Sequence, residues 1–292
     1  MNKRKFSFAD FLLLTFLGCG ALICLFPFYQ TIVLSLASPA DIAAGKVLII
    51  PKSFDISAYT YLLKEGKVAR GIGVSITITI LGTLLSLIVT TAGAYALTKK
   101  SMPGRNFILN AIIVTMFFSG GLVPYFLTIR ALGLMNNIMV MIVPVAINTF
   151  NLILMKNFLA AVPAELEESA KIDGANELVI LVRIIVPVST PIMATISLFY
   201  AVDRWNEWWN AMMFINNTRL YPLQLVLRNA IINVTALLGD ATTKGFIEKT
   251  KVFFPESAKA AIIIISAVPI LLVYPFIQKY FATGIMIGSI KG

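Results

Sequence analysis

The stretch Pro163-Ala164-Glu165-Leu166-Glu167-Glu168-Ser169-Ala170-Lys171-Ile172-Asp173-Gly174-Ala175 is a sharply polar island in an otherwise oily chain. Long apolar runs lie on both sides of it. A polar helix between two membrane spans has to sit in water, where another protein can press against it. Pro163 suits a first helical turn, where its missing N–H costs nothing. Glu165, Glu167 and Glu168 gather at the positive end of the helix dipole. Gly174 can take the left-handed conformation that ends a helix. Asn176 can then cap a second helix running through Glu177, Leu178 and Ile180 toward Arg183. The spacing predicts a helix, a glycine turn and a second helix feeding the next apolar run.

Working outward, 58% of the 292 residues are hydrophobic and 13% are charged, about half the charged share of a soluble protein. So much apolar surface has no hiding place in a soluble domain, and the chain reads as an integral membrane protein. Its runs are long and continuous, as helices require, without the alternation of barrel strands. The expected fold is all-α, with about six transmembrane helices and a cytoplasmic polar helix. The six stretches run from about Phe11 to Leu36, Ile72 to Leu97, Phe107 to Ile129, Ile138 to Met155, Ile184 to Phe214 and Ala260 to Tyr280. Each approaches or exceeds the roughly 20 helical residues that cross a hydrocarbon core. Pro187, Pro191, Asp203, Arg204 and Glu207 interrupt the fifth, and Pro124, Pro144 and Pro269 predict bends elsewhere.

Lys3-Arg4-Lys5 precede the first run, and Lys99, Lys100 and Arg105 crowd one short loop, against the lone Arg130 of the next. Short loops carry the orientation signal, so both termini are expected in the cytoplasm. Segments of about 38–71 and 215–259 then lie outside. The second has helical character, with Leu223, Val226, Leu227, Ala230, Ile231 and Val234 at three- and four-residue spacings.

Several chemistries are excluded or disfavoured. There is no histidine, which removes imidazole bases and the commonest metal ligand. Cys19 and Cys24 lie within the first run and read as small apolar residues of the core. Gly45-Lys46 and Gly66-Lys67 are each followed by valine, so neither forms the phosphate cradle of a P-loop. The net charge of +10 comes without a basic block, and fits span ends better than nucleic acid. Asp203 and Glu207, expected one turn apart on one helix face, are poorly placed for glycoside hydrolysis. Trp205, Asn206, Glu207 and Trp208 combine aromatic faces with hydrogen-bonding groups. They are candidates for a sugar pathway, with an interfacial aromatic belt the more ordinary reading.

Glu168-Ser169-Ala170, three residues, Gly174, nine residues, Ile184, one residue and Val186-Pro187 resembles the EAA loop of binding-protein-dependent ABC importers. Ser169 and Val186 depart from that pattern, which has alanine and leucine there. Ile172-Asp173-Gly174-Ala175, Gly120-Gly121-Leu122-Val123-Pro124, Asn151 to Phe158, Trp205-Asn206-Glu207-Trp208 and Gly288-Ser289-Ile290-Lys291-Gly292 are similar to the maltose-type permease family. Phe253 to Ser257 and Gly284 to Gly288 resemble its branch for complex oligosaccharides.

The resemblance implies one transmembrane domain over 1–292, with a first span at about 11–36 and a permease bundle at about 70–282. It implies half of an oligosaccharide pore in a bacterial cell membrane, without catalysis or a cofactor of its own. Implied partners are a second permease, an ATPase dimer that binds ATP and Mg, and an extracytoplasmic solute-binding protein. Glu167, Glu168, Ala170, Asp173, Gly174 and Pro187 are the residues it implies for ATPase coupling. The competing reading is an ion-gradient-driven secondary transporter or channel, which would place ionisable residues in mid-membrane. The first four runs hold almost none.

Overall fold

The computed structural model describes residues 8–38, 41–42, 50, 53–64, 66–239 and 255–288, with side chains through 8, 10–38, 41–42, 50, 53–64, 66–232 and 256–272. Its helices are α1 (Phe8–Ser35), α2 (Ser57–Lys64), α3 (Lys67–Thr98), α4 (Arg105–Val114), α5 (Leu122–Ala131) and α6 (Thr149–Leu159). There follow α7 (Glu165–Ile172), α8 (Glu177–Val188), α9 (Thr190–Trp205), α10 (Trp209–Phe214), α11 (Leu223–Gly239) and α12 (Pro255–Gly288). Among the described residues the only extended pairing is an isolated bridge between Ala37 and Phe54. The all-α expectation holds.

Contacts divide the chain into two compact units, Met1–Val68 with Leu227–Pro269, and Ala69–Val226 with Ile270–Gly292. In the first unit, α1 leaves Phe11, Leu14, Leu17, Leu22, Ile23 and Leu25 exposed. Cys19 and Cys24 are exposed with them, which corrects their assignment to the core. A membrane-crossing helix is solvated by lipid, so its small apolar residues need no protein neighbours. The far end of α1 is anchored. Val33 and Ala37 are buried with Ile42 against them, and the Tyr59 hydroxyl donates to Ser35 Oγ at 2.8 Å.

In the second unit, α3 is the long member. At 32 residues and 1.5 Å per residue it is about 48 Å long. Among the described residues, Asp10–Ser35 and Lys67–Thr98 are each long and apolar enough to cross a membrane, and a third span results if the α8–α9 pair counts as one. The 34-residue α12 carries the sixth run.

The other expected runs are broken. The Phe107–Ile129 run splits into α4 and α5 around Gly121, whose φ of +83° and extended ψ no helix continues. The Ile138–Met155 run begins as a 3-10 turn, Ile138–Met141, and re-enters helix only at Thr149, past Pro144. The Ile184–Phe214 run divides into α8, α9 and α10. Hydropathy registers apolar length and is blind to these interruptions.

Two cores hold the second unit together. One gathers Ala94, Tyr95 and Leu97 of α3, Met155 and Leu159 of α6, Ala170 of α7, Ile180, Leu181 and Ile185 of α8, and Ile192, Ile196 and Tyr200 of α9. The other joins Ile78, Ile129, Val140–Ile142, Phe214 and Leu225. The helix expected after Tyr221 is present as α11, with Leu223, Leu225 and Leu227 buried. Residues 240–254 and 289–292, including part of the terminal glycine motif, lie outside the described residues.

Candidate functional site

The polar island folds into a capped knob. α7 starts two residues after Pro163, so the proline stands just outside the helix, and its carbonyl accepts from Leu166 N at 3.4 Å. Glu165, Glu167 and Glu168 occupy the first turn and Lys171 the last, both in the sense the helix dipole favours. Gly174 has φ +79°. Gly174 N donates to Lys171 O and Ala175 N to Ala170 O, each at 3.0 Å. That pair of bonds is the Schellman closure, and it requires a left-handed residue where Gly174 stands. Asn176 Oδ1 then accepts from Val179 N at 2.9 Å and opens α8. The predicted helix, glycine turn and capped helix are all present.

Ala170 is buried in the unit's own core, while Glu168, Asp173, Gly174 and Pro187 are exposed. Glu167 turns inward and pairs with Lys99, the residue after α3. Two of the coupling candidates, Glu167 and Ala170, therefore seat the knob on its own chain. The outer face keeps Glu168 and Asp173 together with Ile172, 85% exposed, and Leu178, 69% exposed. Sequence reasoning missed these two apolar residues, although their place in the polar island was a usable signal.

Behind the knob lies a charge cluster that spacing could not reveal. Lys99 Nζ approaches Glu177 Oε2 at 3.2 Å and donates to Tyr95 Oη at 2.7 Å. It also stands 4.0 Å from the centre of the Tyr95 ring. The Tyr95 hydroxyl donates to Glu177 Oε2 at 2.7 Å, and Lys171 pairs with Glu177 Oε1 at 2.7 Å. The hydrogen bond from Lys171, then that from Tyr95, hold the Glu177 carboxyl down at about 2 against the opposing effect of burial. Burial disfavours the Lys99 ammonium, but its bonds to Glu167, Tyr95 and Glu177 outweigh that and raise its pKa above the ordinary lysine value. The loop bearing Lys99 and the polar island thus share one end of the unit, as the expected topology requires.

The link from knob to membrane helix is bent. α8 widens into a π-turn at Leu181–Ile185, where Val186 N reaches back to Leu181 O. Pro187 and Pro191 each lack the N–H that would continue the ladder. The Pro187 carbonyl takes the Thr190 hydroxyl instead, at 2.6 Å. At Ser189, with φ −94° and ψ 16°, the axis turns by 87° between α8 and α9.

The second candidate cluster follows α9, which ends at Trp205 with Asn206 as its cap. Glu207 therefore lies beyond the helix, which corrects the expected one-turn pairing with Asp203. Its carboxylate accepts from Asn210 N at 2.8 Å and Asn210 Nδ2 at 2.9 Å. Tyr125 Oη donates to Asn210 Oδ1 at 2.8 Å. Trp205 is buried, Trp208 half-buried and edge-on to Trp209, and Asn206 exposed with Gln224 Nε2 donating to it at 3.2 Å. Arg204, 4% exposed, reaches the Val145 carbonyl and, at 3.3 Å, Ser86 Oγ on α3. Gly82 makes room for it, since a Cβ there would come within 2.9 Å of Arg204 Cδ. Among the described residues no group of acidic or cysteine side chains could hold a metal.

Residues 90–287, which contain both clusters, match the family model described as the binding-protein-dependent transport system inner membrane component. The chain belongs to that family. The permease is 40% identical to the polygalacturonan/rhamnogalacturonan transport system permease protein YtcP of Bacillus subtilis strain 168, over 100% of both chains. It is 44% identical to Protein LplC of the same organism, over 100% of this chain and 97% of the other. Among solved structures it is similar to a chain of a bacterial ABC transporter involved in the import of the acidic polysaccharide alginate. The TM-score there is 0.85 at 34% identity, covering 96% of this chain and 99% of that one. The permease is thus an all-α membrane transport subunit and not an enzyme.

Proposed function

We propose that the permease forms half of the pore of an ATP-driven importer and takes in acidic, uronate-bearing oligosaccharides. The whole chain acts as one transmembrane domain beside a second, different permease. An ATPase dimer carrying ATP and Mg docks on the knob, and a solute-binding protein delivers substrate on the outer side. Both termini face the cytoplasm.

The observation that carries this reading is the knob itself. It is a helix pair joined by the Gly174 closure and the Asn176 cap, with Ile172 and Leu178 exposed along with Glu168 and Asp173. Exposed apolar residues rimmed by charge on a water-facing element mark a protein contact. Gly174 fixes the shape of that face, and Glu167 and Ala170 hold it to the body. Closure of the ATPase moves the knob, and the bundle alternates between facing the binding protein and facing the cytoplasm. Asn206, Glu207 and the tryptophans around them line part of the sugar path.

The acidic character of the substrate rests on relatives, two of which are named for polygalacturonan and alginate. The test is uptake of oligogalacturonates into proteoliposomes holding the complete transporter, with neutral oligosaccharides as the control. ATP-dependent uptake of the uronates supports the assignment. Uptake that survives removal of the ATPase would overturn it in favour of a gradient-driven transporter.

A further inference from the structure

α7 follows α6 through residues 160–164, and two further routes of different stiffness lead from the knob into the membrane helices. The covalent one of these runs through α8 to α9. It crosses a π-turn, two prolines and an 87° bend, so the helical hydrogen-bond ladder is interrupted where thrust would have to pass. The non-covalent route runs into α3 through Lys99. Lys99 engages Glu167 of α7 and Glu177 of α8 together, so one ammonium fastens both helices of the knob to one helix end. Its side chain is 21% exposed and that of Glu167 24%, so water screens their pairing less than it would a surface pair. Apolar packing backs it, with Ala170 in the same core as Ala94 and Leu97.

From α3 the structure offers two polar ties onward to α9. Thr90 Oγ1 and Tyr200 Oη lie 2.7 Å apart, both buried, and the Arg204 guanidinium donates to Ser86 Oγ. Asn148 N donates to the same Tyr200 hydroxyl at 3.1 Å, which joins the start of α6 to the tie.

We propose that Lys99 is the positioning residue through which the knob drives α3, and that α3 carries the motion into α9. The bent joint at Ser189 serves as a hinge that lets the two routes move without tearing. This rests on the importer reading above, because it concerns where the stroke of an ATPase enters the bundle.

The test uses the complete transporter in proteoliposomes, with ATP hydrolysis and uptake measured on the same preparation. Lys99→Met keeps the aliphatic stem and removes the charge, and Glu167→Gln removes one partner almost isosterically. In both, ATP hydrolysis stimulated by the loaded binding protein is expected within about twofold of the parent, while sugar taken up per ATP falls tenfold or more. Lys99→Arg, which keeps the charge, is expected to recover most of the uptake per ATP. Unchanged uptake per ATP in both charge-removing variants would overturn the proposal. So would a parallel fall of hydrolysis and uptake in both, which marks a merely structural role. If the parent itself shows no ATP-dependent uptake, the importer reading fails, and the result is distinct from either.

Discussion

The knob and the far end of α9 solve opposite problems with their polar groups. At the knob end, Lys99, Tyr95, Glu167, Glu177 and Lys171 form a cluster in which every charge has a partner of opposite sign. At the far end, the Arg204 guanidinium is 4% exposed and its close partners are a backbone carbonyl and a serine hydroxyl. The first arrangement resists separation, since parting it would strand charges in a half-dry site. The second holds a buried charge on neutral acceptors in a glycine gap, which ties α9 to α3 by hydrogen bonds without a counter-charge. One fastens by paired charges, the other ties by hydrogen bonds.

The largest expected effect falls on the fastening end. Gly174→Asp places a side chain at φ +79°, which costs most L-residues about 1–2 kcal/mol and Asp less, and it adds a second carboxylate next to Asp173 on the docking face. No atom stands within 4 Å of where the new Cβ would sit, so the strain is conformational and the bundle should still insert. Uptake should fall more than tenfold with the membrane level unchanged, as judged by immunoblot of isolated membranes. Next comes Ala170→Leu, which overfills the core beneath the knob at a cost of about 1–3 kcal/mol. A lower unfolding temperature of the purified complex would show it. Replacing Arg204 with Lys should lose the reach to both Val145 and Ser86, with a smaller fall in uptake than Gly174→Asp.

The fastening cluster should also ignore pH near neutrality. Glu177 has its pKa depressed from 4.5 to about 2, so its contribution is complete above about 4.5 and disappears as pH falls toward 2. Lys99 is shifted upward from 10.5, so its contribution is complete below 10.5 and disappears only as pH rises through its higher folded value. Thermal unfolding across pH 5 to 9 should therefore show no step that Glu177→Gln removes. The smallest effect is expected at Pro187→Ala. Restoring one N–H to a joint that is already bent should change uptake by less than about threefold.

Much of the knob was legible in the sequence. Its glycine turn and its Asn176 cap depend on residue types whose backbone preferences are local, so position along the chain was enough to place them. Lys99 was legible only as an orientation signal in a basic loop. Its partners lie 68 and 78 residues away along the chain, and no local rule joins them. The broken runs failed for a related reason. Gly121, Pro144 and Pro187 were each visible, but the apolar residues around them match a continuous helix as well as two short ones. Glu207 moved off the helix face because α9 stops at Trp205, in a stretch where apolar and polar residues alternate without a clear stop.

The most direct measurement is a crosslink. With Cys19 and Cys24 replaced by serine, a single cysteine at Asp173 should crosslink to the ATPase subunit in membranes of the assembled transporter, with a yield that changes when ATP binds. An impermeant thiol reagent added to intact cells should leave that cysteine unlabelled. Labelling from outside, or no ATPase crosslink from Asp173 or from the neighbouring Ile172, would contradict the role assigned to the knob.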